Sequence, residues 1–118
     1  MKKIIIVFAI IIANFTIEAQ VKTPQSSPKS TIMQAVGLTD VEINYSRPSA
    51  RGRAVFGNLI PFGKVWRTGA NENTTVSFSD DVVIDGKTLK KGKYSLYTIP
   101  KIESWEIIFY KTTDNWGN

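Results

Sequence analysis

Apolar and polar residues alternate with a period of two along several short stretches of the chain. Val41, Ile43 and Tyr45 alternate with Glu42, Asn44 and Ser46, so an extended backbone there has one apolar and one polar face, as a half-buried strand requires. Trp105, Ile107 and Phe109 alternate with Glu106, Ile108 and Tyr110. This second strand is apolar on nearly both sides and is expected at the centre of its sheet. Residues 94–99 and 74–78 are rich in aromatic and β-branched side chains and read as further strands.

Turn chemistry falls between these segments. Asp85 and Gly86, set between Val82, Val83, Ile84 and Lys87, Thr88, Leu89, are the Asp-Gly pair of a tight hairpin. Residues 90–93 make a second turn and residues 100–104 a third. No window of about 11 or more residues beyond the N-terminal segment carries helical periodicity. Strands at this spacing, with turns between them, predict an all-β fold, an antiparallel β-sandwich.

The N-terminus has a different pattern. Lys2 and Lys3 precede an apolar run over residues 4–13, and Ala19 stands before Gln20, which is the layout of a secretory signal peptide cleaved after Ala19. Asn14, Thr16 and Glu18 interrupt the run short of the ~18 apolar residues that a membrane anchor needs. The expected organisation is a signal peptide at 1–19, a flexible Pro-, Gln- and Ser-rich leader at 20–30 that contains Pro24 and Pro28, and a β domain at 31–118. The mature product is expected in the periplasm or secreted, with no membrane span.

Composition narrows the chemistry. The 118 residues include 15 Lys and Arg, 10 Asp and Glu, and no Cys or His. Loss of Lys2, Lys3 and Glu18 with the signal would leave a net charge of +4. Without Cys or His there is no disulfide, thiol nucleophile, Cys/His zinc site or Ser-His-Asp triad. The positive balance favours anionic ligands, but no helix-turn-helix or RNP motif is present, and no nucleic-acid partner is expected.

Tyr45, Ser46, Arg47 and Pro48, then Gly52, Arg53, Phe56, Gly57, Leu59, Pro61 and Gly63, lead into the run Val65, Trp66, Arg67, Thr68, Gly69, Ala70, Asn71 and Glu72. This series resembles the DUF2911 family of exported bacterial proteins, and the likeness continues through residues 92–100 and 105–109. The resemblance implies a signal peptide and no agreed activity. Such proteins usually run on past the Trp-Gly pair matching Trp116 and Gly117, so the chain is expected to be shortened at its C-terminal end. A sandwich lacking closing strands would leave an open edge that another chain could complete.

Two stretches are candidates for binding. In the first, Arg47, Arg51 and Arg53 stand among Ser46, Ser49 and Gly52, where guanidinium forks and exposed backbone N–H groups suit a phosphate, sulfate or carboxylate. Alternatively, these arginines lie over Tyr45 or Phe56, or pair with surface acids. In the second, Trp66 and Arg67 run into Thr68, Gly69 and Ala70, where Gly69 permits a positive φ, followed by Asn71, Glu72 and Asn73. Trp66 suits the apolar face of a sugar ring, with Arg67, Asn71 and Glu72 fixing its hydroxyls. The structural alternative has Trp66 in the core, Arg67 paired with Glu72, and Asn71 capping the turn.

The spacing of Asp80, Asp81 and Asp85 does not match a calcium loop, so neither metal nor cofactor is expected. The leading expectation is a non-catalytic module that binds a glycan or small anion through Arg47, Arg53, Trp66, Arg67, Asn71 and Glu72. A structural protein whose sheet is completed by a partner chain is the second. An enzyme using Glu72 ranks third and would need a second titratable group beside it and a raised carboxyl pKa.

Overall fold

The computed structural model describes residues 19–116. Nearly all of the expected signal peptide, residues 1–18, lies outside the described residues, as do Gly117 and Asn118. The fold is all-β. Strands β1 (Lys29–Val36), β2 (Thr39–Ser46), β3 (Thr75–Phe78), β6 (Gly92–Pro100) and β7 (Trp105–Tyr110) form one antiparallel sheet in the order β1-β2-β3-β6-β7. Strands β4 (Val82–Ile84) and β5 (Lys87–Leu89) form a separate two-stranded sheet.

Register explains the faces. Ile32 lies opposite Ile43, Ile43 opposite Val76, Val76 opposite Tyr94, and Leu96 opposite Phe109. Because side chains alternate along each strand, these residues share one apolar face, joined by Val41, Phe78, Trp105 and Ile107. Thr31, Asn44, Glu42, Thr75, Ser77, Lys93 and Ser95 line the opposite, largely polar face. Phe78, Tyr94 and Phe109 meet on the apolar face with ring centroids 6.0–6.5 Å apart.

Burial is sparse across the sheet. Among the described residues Val76, Tyr94, Tyr97 and Pro100 are the buried apolar side chains, and Ser46, Asn73, Thr74, Thr75, Ser95 and Thr98 are equally shielded. Polar groups this deep must be hydrogen-bonded, and they are: Asn73 Nδ2 donates to Ser95 Oγ at 2.6 Å, and Ser95 Oγ donates to the Thr112 carbonyl at 2.7 Å. The middle of the sheet is therefore held by side-chain hydrogen bonds as well as by apolar contact.

The β4–β5 hairpin turns on Asp85 and Gly86 at φ 50° and 74°, the paired positive values of a type I′ turn. Its base is fastened by Asp81, which accepts from the Lys91 N–H at 2.8 Å and from Lys90 Nζ at 3.0 Å. Asp85 and Asp81 are thus explained by the hairpin turn and its base, and Asp80 accepts from Ser79 Oγ at 2.9 Å.

Three sequence expectations need correction. Strand β7 is at an edge of the sheet among the described residues, pairing only with β6. Its second apolar side is occupied locally, since Tyr110 packs edge-on against Tyr97 at 6.1 Å. Strand β1 begins at Lys29, inside the segment read as leader, and the carbonyl just before it, Pro28 O, accepts from the Arg47 N–H at 2.9 Å. Gly69 does not carry the positive φ. Thr68 and Asn71 do, each at 58°.

Candidate functional site

The site is built where β2 ends. The chain leaves the sheet at Arg47, and Pro48 holds Arg47 extended. A tight turn over residues 50–53 follows, closed by the Arg53 N–H to Ala50 O at 3.0 Å. Arg51 and Gly52 at its centre have φ 52° and 72°. The Arg53 guanidinium folds back over this turn: Nε donates to Ala50 O and Nη2 to Ser49 O, both at 2.9 Å. These bonds fix the guanidinium in place and leave its charge uncompensated.

The other wall comes from the segment before β3. Trp66 forms an antiparallel bridge with Thr98 of β6, through N–H···O bonds of 2.7 and 3.0 Å. This anchors the segment beside the longest strand. Thr68 then turns the chain with its left-handed φ, which is strained for a β-branched residue. Three contacts hold it there: its hydroxyl reaches Trp66 O at 3.2 Å and Thr98 Oγ1 at 3.0 Å, and its carbonyl accepts from Thr74 Oγ1 at 2.9 Å. Strain held in place this way tends to be kept at binding sites.

Between the two walls lies a hollow of about 640 Å³. Arg47, Arg53, Trp66 and Arg67 all line it, together with Tyr45, Val55, Leu59, Ile60 and Thr68. Its lining contains no Asp, Glu, Asn or Gln. The ion pairs among the described residues join Lys29 to Glu72, Lys90 to Asp81 and Lys101 to Glu106, so none of the three arginines is neutralised by an acid. Arg67 Nη1 has only a long bond to Asn71 O, at 3.3 Å. The result is a cationic rim over a wall of rings and aliphatic side chains.

Asn71 and Glu72 do not line this hollow. Asn71 Nδ2 reaches Ser27 O at 3.4 Å. Glu72 pairs with Lys29 through Oε1 at 2.9 Å and borders a separate, polar hollow of about 310 Å³. The expected alternative partners also differ: Arg67 does not pair with Glu72, and Asn71 caps nothing through its own backbone. The Lys29 ammonium, followed by Glu72's own backbone N–H, holds the Glu72 carboxyl below its ordinary value. That direction is opposite to the raised pKa a carboxylic general acid needs.

Trp66 is shared between core and site. It packs edge-to-face on Phe56 and Trp105 at 6.0 and 6.2 Å, and those two meet at 5.0 Å. Sequence reasoning missed Val55, Leu59 and Ile60 as site residues. No local pattern marks them, because single aliphatic residues in exposed loops are ordinary.

A sequence family described as "Protein of unknown function (DUF2911)" matches residues 27–118. The match takes in both walls of the hollow and every strand. No similar sequence was found among curated proteins, and no similar fold among solved structures.

Proposed function

The chain belongs to the DUF2911 family, which supplies likeness without chemistry, and from that premise we propose that it is a non-catalytic module binding a small anionic ligand in the hollow edged by Arg47, Arg53 and Arg67. The observation that carries this reading is that Arg47, Arg53 and Arg67 line one accessible concavity whose lining has no acid. Guanidinium is the side chain best suited to bidentate capture of phosphate or carboxylate.

A neutral glycan fits less well. Sugar hydroxyls are donors as well as acceptors, and carbohydrate sites supply carboxylates or carboxamides to accept from them. Here the two residues expected in that role, Asn71 and Glu72, stand outside the hollow. Export belongs to the same proposal and rests on Lys2, Lys3 and the apolar run that follows.

The test is calorimetry of the mature protein, purified from expressing cells, with phosphate and with a neutral methyl glucoside, beside Arg67→Ala. Phosphate binding that weakens at least about tenfold in the variant, the loss of one charge-assisted bond of ~1.5 to 3 kcal/mol, is the expected outcome. Equal binding by both proteins removes Arg67 from the site. The N-terminal residue of the same preparation reads export, with Gln20 expected and an intact Met1 against it.

A second reading rests on β7, which pairs on one side only among the described residues and carries a single charge, Glu106, within an otherwise apolar or aromatic strand. Edge strands are ordinarily protected by charge, proline or bulges. On this reading another chain adds a strand along β7. A melting temperature that rises with protein concentration supports it; a concentration-independent value from a monomer counts against it.

A further inference from the structure

We infer that the ligand of the arginine-edged hollow is an organic anion, a phosphate or carboxylate carried on an apolar body of one or two rings or a short chain, rather than an inorganic ion or a sugar. This rests on the anion-binding reading above and adds to it the chemistry of the apolar residues that share the lining. Tyr45, Trp66, Val55, Leu59 and Ile60 face the same concavity as the guanidinium groups. An inorganic anion would engage the arginines and leave these apolar side chains wet. A volume of about 640 Å³ lies in the range of sites that enclose whole small organic molecules.

Several features separate the two halves of such a ligand. Arg53 is fixed against Ser49 and Ala50 by two hydrogen bonds, so its charge is placed before any ligand arrives. Arg67 has one long bond that it can exchange for a better acceptor. No ion pair to either it or Arg47 need break first. On the apolar side, Leu59 is 45% exposed, so a ligand covering it gains hydrophobic energy that the folded protein lacks. Charged donors and water-exposed aliphatic carbon lining one hollow select an amphiphilic anion.

Calorimetry of the full mature chain with inorganic phosphate, phenyl phosphate and octyl phosphate tests this. Burial of ~50 to 100 Å² of ligand carbon at ~25 cal/mol per Å² is worth about ten- to sixtyfold in affinity. At least one organic phosphate is therefore expected to bind about tenfold or more tightly than the inorganic ion. The better of the two shows whether the apolar body is a ring or a chain.

Leu59→Ala, at a half-exposed position and with its melting temperature measured beside the parent's, is expected to shrink that advantage several-fold. Arg67→Ala is expected to weaken all three ligands together. If inorganic phosphate binds as tightly as both organic phosphates, the anion-binding reading stands and this inference is overturned. If none of the three binds, both fall.

Discussion

Gly69→Ala is expected to destabilise the protein by about 1 to 3 kcal/mol, the usual cost of forcing extra atoms into a filled site, and to lower the melting temperature by roughly 5 to 20 °C for a domain of this size. The cause is steric. A Cβ on Gly69 would stand 2.6 Å from Thr74 Oγ1 and 3.4 Å from the Ser46 carbonyl oxygen. Thr74 is 3% exposed, and its hydroxyl donates to Thr68 O at 2.9 Å. Moving that hydroxyl aside breaks the bond that helps hold Thr68 in its strained conformation. Circular dichroism melting of Gly69→Ala, Thr74→Ala and the double variant tests the mechanism. Because Thr74→Ala removes the clashing atom, the double variant should be more stable than the two single losses predict by addition. Strict additivity would show that the two residues do not meet.

The same pair shows how the binding hollow depends on the sheet. Thr74 is the residue before β3 and Ser46 is the last of β2, two strands that lie side by side. Gly69 lets the 66–70 segment lie against both. Only a residue without a Cβ allows that approach, and the approach carries Arg67 and Trp66 to the same place as Arg47. Packing of the sheet's end thus sets the position of the guanidinium groups.

Much of this fold was legible in the sequence. The Asp85 and Gly86 turn, the alternation of β2 and the β-branched and aromatic run of β6 are local signals, and local signals survive folding when they agree with the tertiary structure. Strand β1 was not legible. Its apolar-face side chains, Ser30, Ile32, Gln34 and Val36, mix polar with apolar, and Lys29 and Thr31 stand opposite them on the strand. Such a strand is recruited by hydrogen bonds to β2 rather than by burial, so alternation is weak. The place of β7 was misread for a related reason: its Tyr110 pairs with Tyr97 on the second face, so aromatic contact, rather than a central position, explains its apolar character.

For the site, sequence gave the residue types and not their company. Arg47, Arg53, Trp66 and Arg67 line one hollow because the Trp66–Thr98 bridge and the close approach of Gly69 to Ser46 bring the 66–70 segment beside the end of β2. Glu72 was excluded by a partner, Lys29, that is 43 positions away in sequence, in a stretch whose prolines suggested a tether. No local pattern announces a contact of that range. It becomes visible once β1 is known to lie beside β2.

Trp66→Ala is expected to be the most damaging single change in the hollow, at about 2 to 4 kcal/mol. Truncation of a large aromatic in a core costs ~3 to 5 kcal/mol, and Trp66 is only partly buried. Its ring packs on both Phe56 in the long loop and Trp105 at the start of β7, which also touch each other. Edge-to-face pairs of this kind add ~0.5 to 1.5 kcal/mol each beyond burial. Trp66→Phe keeps a ring between them and should lose about half as much. Arg67→Ala, whose side chain makes one 3.3 Å bond, should stay within ~1 kcal/mol of the parent. Urea unfolding of the three variants gives the order directly. If Trp66→Ala unfolds at the same urea concentration as the parent, the Trp66 ring does not fasten the loop to the sheet, and backbone bonds such as Trp66–Thr98 and Gly63–Pro100 hold it instead.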